Sequence, residues 1–276
     1  MQFKGISFIL LMFMTLGCYA QSYNDWVDSS YVYISKKDWV SAEKALLSAV
    51  RKEPANPQNS LLLSNLGTVQ RRMGKLDDAL KSYNNALMIT PRAVTLLKNR
   101  AALYSEMNRM EDALKDYDRV LMYDEDEENA LYLRGLLRLE LGDTAACRID
   151  LERLYKLNPQ STDARIGMAT LLKCRHYYDN AIDLYNQVIR AEPENSAYYV
   201  GRGEAYYYLK KYNKADEDIA KALKLDPDDP LIYVLRAKVK IARYDKEDAA
   251  LDLKKAVSLG FDKNEAQNIL KAGVEL

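Results

Sequence analysis

From Tyr23 onward, apolar side chains recur at spacings of three and four with polar positions between them, the pattern of consecutive amphipathic helices. The helices come in pairs. In each pair the first helix turns its fourth, eighth and eleventh positions inward, and the second its twentieth, twenty-fourth and twenty-seventh. The register is set by Ala79, Ala113, Cys147, Ala181, Ala215 and Ala249, each 34 positions after the last, while Ala42 is displaced by a three-residue insertion near Pro57. Pro54, Pro91, Pro159, Pro193 and Pro227 follow the small residue by twelve positions. They end each pair, because proline lacks the donor a helix needs.

A period of 34 with a small residue, an aromatic or aliphatic residue four further on, a second small or branched one at seven and proline at twelve resembles the tetratricopeptide repeat family. The first copy carries this as Trp26, Tyr33, Ala42, Leu46, Ala49 and Pro54, the second as Leu63, Leu66, Gly67, Ala79, Tyr83, Ala86 and Pro91. The resemblance covers nearly all of the chain after its first 20 residues. It implies an all-α, right-handed α-solenoid of seven helix-turn-helix repeats at 23–56, 60–93, 94–127, 128–161, 162–195, 196–229 and 230–263. Departures are local: Glu125 and Phe261 replace proline, and His176 and Tyr244 stand where Gly74 and Gly142 mark the inter-helix turn. A repeat cannot bury both faces alone, so the last one needs a cover. Residues 264–276 supply a capping helix: Asp262 with Glu265 makes a capping box, and Ala266, Ile269, Leu270 and Val274 form a stripe.

Arginine stands at position seven, beside the inward face, in four repeats: Arg100, Arg134, Arg202 and Arg236. Position twenty-three of the same four repeats is Asp116, Asp150, Asp218 and Asp252. Repeats without the arginine, with Ser29, Leu66 and Met168, also lack the aspartate, having Ala45, Ser82 and Leu184. Independent placement gives that coincidence roughly once in 35. Pairing each arginine with position twenty-three of the preceding repeat fails, because Arg100 would meet Ser82 and Arg202 would meet Leu184. The expectation is a structural Arg–Asp bridge between the two helices of one repeat, bidentate enough to satisfy both charges.

The chain has 276 residues, 48% hydrophobic, with 40 basic and 40 acidic side chains, so no net field recruits nucleic acid. A mean hydropathy of −0.38 excludes a multi-span membrane protein. Residues 1–20 stand apart: Lys4, an apolar run from Ile6 to Leu16 and small residues before Gln21 have the layout of a secretory signal that is removed. Cys18-Tyr19-Ala20 suits ordinary signal peptidase, and Thr15-Leu16-Gly17-Cys18 loosely resembles a lipobox in which Cys18 is lipidated. Thr15 is a poor match where that motif prefers leucine, which favours simple cleavage. Either route leads to the periplasm or envelope of a Gram-negative bacterium, with membrane attachment only if Cys18 carries lipid. Cys147 and Cys174 then remain, too few for a disulfide scaffold, although one bridge is permitted there.

Candidate chemistry is sparse. Cys174-Arg175-His176 offers two metal ligands at a turn but not the third and fourth that zinc needs. Asp124-Glu125-Asp126-Glu127-Glu128 lacks the glycine and spacing of a calcium loop and suits a solvated linker charging the next helix's N-terminus. Without a glycine-rich phosphate loop, a nucleophile elbow or paired catalytic acids, the expectation is no enzyme, no cofactor, no metal and no small-molecule substrate.

In the family that the repeats resemble, positions two, five, six, nine and twelve of the first helix line a concave groove for extended peptides or partner helices. In repeats two and three that face is polar, with Asn65, Thr68 and Arg71, then Lys98 and Asn99. In repeat four it becomes Tyr132, Leu133, Leu136 and Leu139, and it continues through Ile166, Lys173 and Tyr207. An apolar strip on a solvent face marks a partner surface, unless Leu133 and Leu136 pack between neighbouring helices. Asn65 and Asn99 resemble the start of an asparagine ladder that ends after two rungs. Lys98 is followed by Ala102, so the chaperone carboxylate clamp of some relatives is not expected. The expected function is an exported scaffold or adaptor that binds a protein or peptide, oriented by the polar segment and held by the apolar one. The alternative is a structural subunit of an envelope assembly with no groove ligand.

Overall fold

A computed structural model describes residues 21–272. The signal-like segment, Cys18 and Val274 lie outside the described residues. Among the described residues there are fifteen helices and no strand, which makes the fold an all-α helical-repeat solenoid. The described chain divides into two units, 21–103 and 104–272, and the division falls inside α5 (Val94–Glu106).

The first unit contains α1 (Tyr23–Ser35), α2 (Trp39–Lys52), α3 (Asn59–Arg72), α4 (Leu76–Ile89) and most of α5. Ser22 and Asp25 open α1 as a capping box, each accepting from the other's amide, at 3.2 and 2.8 Å. Ala42, Leu46 and Ala49 of α2 and Ala79, Tyr83 and Ala86 of α4 are buried, as the small-residue register requires. Gly67 lets α3 close on α4, since a Cβ there would lie 2.8 Å from the Tyr83 ring. The inserted residues near Pro57 are stitched by the buried Asn59, which donates to the Glu53 carbonyl at 2.6 Å and accepts from the Tyr23 hydroxyl at 3.2 Å.

The second unit runs through α6 (Met110–Tyr123), α7 (Glu128–Glu140), α8 (Thr144–Leu157), α9 (Thr162–Cys174) and α10 (Tyr178–Ala191). It continues through α11 (Ser196–Tyr208), α12 (Tyr212–Leu225), α13 (Pro230–Ala242), α14 (Lys246–Ser258) and α15 (Lys263–Ala272). The acidic run is used locally: Glu127 caps α7 through the Ala130 amide at 2.6 Å, and Asp126 takes Arg153 at 2.6 Å. Small, branched and aromatic residues from successive helices form the core, among them Cys147 with Leu151 and Leu171, then Ala181 with Tyr185 and Val188. At the C-terminal end α15 buries Ala266 against Val234 and Leu253, with Ile269 and Leu270 alongside. Asp262 accepts from the Glu265 amide at 2.7 Å. Among the described residues both cysteines are free thiols; Cys147 is buried, which pushes its pKa up to about 11, and Cys174 is exposed.

Each turn within a helix pair holds one residue in the left-handed region. Gly74 and Gly142 take it freely, but Lys37, Asn108, His176, Lys210 and Tyr244 take it with φ between 56° and 65°. For tyrosine that conformation is costly. Tyr244 is 84% exposed, so little packing is lost with it. Tyr244→Gly is expected to raise stability by about 1 kcal/mol, read as a higher urea midpoint at unchanged slope.

Candidate functional site

The charged seam is a structural element with exact partners. Arg134 Nε and Nη2 donate to the two Asp150 oxygens at 2.9 and 2.6 Å, and Arg202 makes the same pair of bonds to Asp218 at 2.9 and 2.6 Å. Arg236 repeats it with Asp252 at 2.9 and 2.5 Å. These aspartates are buried, so a fork that fills both oxygens is what makes their charge tolerable. In the first unit Arg100 donates to Asn84 at 2.6 Å, and in the second Asp116 lies 3.7 Å from Arg119.

A further link was not read from the sequence. The third guanidinium nitrogen of Arg134 donates to Asp118 at 2.7 Å, and that of Arg202 to Asn186 at 2.6 Å. Each of these arginines therefore ties its own pair's second helix to the preceding pair's second helix. Asn84, Asp118 and Asn186 share position twenty-five of their repeats, two beyond the aspartate position, and that common spacing is the mark the link leaves in the sequence. Before Arg236 the position is Ala220, and Lys240 instead joins Asp252 at 2.9 Å. Between α3 and α4 the contact is uncharged, Ser82 donating to Gln70 at 2.6 Å, and Gln70 in turn donates to the Glu43 carboxylate of α2 at 3.1 Å.

In the second unit, helices α7, α9, α11, α13 and α15 border a groove of about 620 Å³. Its floor is a row of fifth-position residues, Tyr132, Ile166, Val200 and Val234. Near the N-terminal ends of the helices the second positions form a rim of Asp163, Ala197 and Leu231, extended by Glu265 of α15. On the other side stand Thr170, Glu204, Lys238 and Lys173. Lys173 donates to Glu204; burial works to lower its pKa, but Tyr185 and Glu204 outweigh that and hold the ammonium form. Burial, then Glu192 and Glu128, hold Asp163 above the ordinary carboxylate range. Burial pushes the Tyr132 hydroxyl up to about 12. The Tyr185 ring reaches the groove because Gly201 makes room for it.

Of the residues expected to bind a partner, Tyr132, Ile166 and Lys173 line this groove. Leu136 and Leu139 of repeat four and Tyr207 of repeat six lie outside its lining. Leu139 packs beside the Cys147, Leu151 and Leu171 cluster, and Tyr207 sits against Tyr208 and Tyr212 with ring centroids 5.3 and 6.1 Å away. Leu136 is half-buried on α7. Asn65, Arg71, Lys98 and Asn99 are half-buried in the first unit, and Thr68 is exposed, its hydroxyl 3.0 Å from that of Tyr83. They do not line the first unit's own cavity of about 650 Å³, which is apolar, bordered by Tyr23, Val27, Tyr31, Leu61 and Leu96. The second-position rim and this cavity carry no sequence mark beyond their helix position, since Asp163, Ala197 and Leu231 share no residue type from repeat to repeat.

Residues 98–162 and 196–229 match two family models, both described as tetratricopeptide repeat. The chain is 42% identical to a tetratricopeptide repeat protein of Parabacteroides merdae whose crystal structure superposes with a TM-score of 0.80, over 92% of this chain and 99% of that one. Among curated relatives, Hsc70-interacting protein 1 of Drosophila melanogaster is 38% identical over 85 residues, 31% of this chain and 22% of its own length. The lipoprotein NlpI homolog of Haemophilus influenzae is 26% identical over 107 residues, 39% of this chain and 34% of its own. The chain thus aligns with well under two thirds of either curated relative. Paired helices in a 34-residue register, family matches in both halves and a full-length structural relative at 42% identity agree: the chain belongs to the tetratricopeptide repeat family.

Proposed function

We propose that this chain is a non-catalytic scaffold of a bacterial cell envelope that binds a polypeptide segment in the groove of its second unit. The observation that carries the reading is the groove itself, an apolar floor drawn from four successive first helices and flanked by charged side chains, open along the helix row. Pockets that bind by anchoring apolar side chains between polar rims have this make-up. Family membership supports the protein-binding role, and the similarity to a lipoprotein supports the envelope location. Among the described residues no helix is long and apolar enough to cross a membrane.

The test is crosslinked co-purification from envelope extract, comparing the natural chain with a Leu231→Ser, Lys238→Glu variant. Leu231 is 52% exposed, so the change alters the groove without opening the core. Loss of a partner from the variant alone, at unchanged helical content, is the expected outcome; retention of every partner removes the groove from consideration. A second reading, a structural subunit without groove ligand, draws on the exposed apolar residues of the second helices, Val40 and Met88 in the first unit and Met122, Ile149 and Leu251 in the second. Fixed stoichiometry in a purified assembly, insensitive to the groove variant, is the result that favours it.

A further inference from the structure

This inference rests on the groove reading and assigns the chemistry of its ligand. The groove is lined by four carboxylates and two lysines. One of those lysines, Lys173, already pairs with Glu204. Lys238 is then the remaining cation against Asp163, Asp229 and Glu265. Asp229 accepts the Leu231 amide at 2.8 Å as the cap of α13. Asp163 and Glu265 stand in the first turns of α9 and α15, where the helix dipole favours a carboxylate. That role does not satisfy Asp163 fully, since burial and the nearby Glu192 and Glu128 work against its charge. A cation placed beside it relieves both.

We infer that the groove takes a segment of another protein in which apolar side chains alternate with lysine or arginine. The apolar side chains lie on the floor of Ile166, Val200 and Val234, and the cations reach Asp163 at one end of the rim and Glu265 at the other. The floor and the rim are neighbouring rows, fifth and second positions of the same helices; an extended segment on the floor sends alternate side chains down onto it and the intervening ones away, and the long stems of lysine or arginine let those intervening residues bend back to the rim carboxylates. A segment bearing carboxylates in those places meets the rim's own charge.

The experiment is fluorescence anisotropy on the purified chain with three short labelled probes: leucine alternating with lysine, leucine alternating with glutamate, and leucine alternating with serine. The lysine probe is expected to bind most tightly, to weaken as salt rises, and to lose about threefold to tenfold in affinity to an Asp163→Asn, Glu265→Gln variant. Equal binding of the lysine and glutamate probes, or a lysine probe indifferent to the variant, overturns the charge assignment. If the serine probe matches the lysine probe and is released by Leu231→Ser, the assignment fails while groove binding stands. Failure of all three probes overturns the inference, and the co-purification experiment then decides the groove reading separately.

Discussion

Arg202→Met is expected to lower stability by about 3 to 5 kcal/mol, whereas the double variant Arg202→Met, Asp218→Leu should recover most of the loss. The single change removes both bonds to Asp218 and the bond to Asn186. It leaves a carboxylate whose side chain is 5% exposed without its cation, and burial already works to raise that group's pKa against the pull of Arg202. An uncompensated buried charge is the expensive outcome; two apolar residues of fitting volume are not. The fold supplies its own precedent, because Met168 of α9 and Leu184 of α10 occupy these same two positions. Methionine can still lie among the Tyr199 and Tyr206 rings over which the guanidinium now sits, at 5.6 and 6.0 Å. The measurement is urea unfolding followed by circular dichroism, and coincident midpoints for the single and double variants would show that the stranded Asp218 charge carries no cost of its own.

Gly201→Val is expected to cost about 3 kcal/mol and to abolish groove binding together. A Cβ at position 201 would lie 2.5 Å from both Cζ and Oη of Tyr185, closer than any unstrained contact. The ring cannot swing clear, since Tyr185 is buried among Ala169, Ala181, Leu184 and Val188. Backbone or ring must shift, and both residues line the groove, so its floor deforms with them. The check is a double-mutant cycle with Tyr185→Ala, which by itself opens a cavity at a cost of about 3 to 5 kcal/mol. The valine fills part of that cavity, so the double variant should lose less than the sum of the two single changes. Strict additivity would mean that the two positions do not collide.

The same contrast between spacing and contact separates what was legible in the sequence from what was not. The helix pairs were legible because the period of a helix and the need for small residues where backbones approach leave marks at fixed intervals, as Ala79, Ala113, Cys147 and Ala181 do. The co-occurrence of Arg134 with Asp150 and of Arg202 with Asp218 was legible for a related reason: a buried charge cannot be kept without its partner, so the two residues occur together. The backward bonds to Asp118 and Asn186 leave a weaker mark. Their acceptors need only reach the edge of the seam, where Ala220 can replace them and Lys240 can join Asp252 instead.

The groove divided along the same line. Sequence by itself determined which positions of each first helix share a face, because that follows from angular position on a helix, and the family resemblance implied that this face lines a groove. It could not determine which of them stay open, because openness depends on what neighbouring helices place above and beside each side chain. Leu139 is taken up by the packing around Cys147 and Leu151, and Tyr207 by Tyr208 and Tyr212. Gly201 admits the Tyr185 ring from α10 into a row where the sequence shows only a missing side chain. Asp163, Leu231 and Glu265 become one rim only when α9, α13 and α15 are set side by side. Periodicity along one chain fixes the faces of its helices, whereas the exposure of each face is a property of pairs and triples of helices, and only the tertiary structure brings those together.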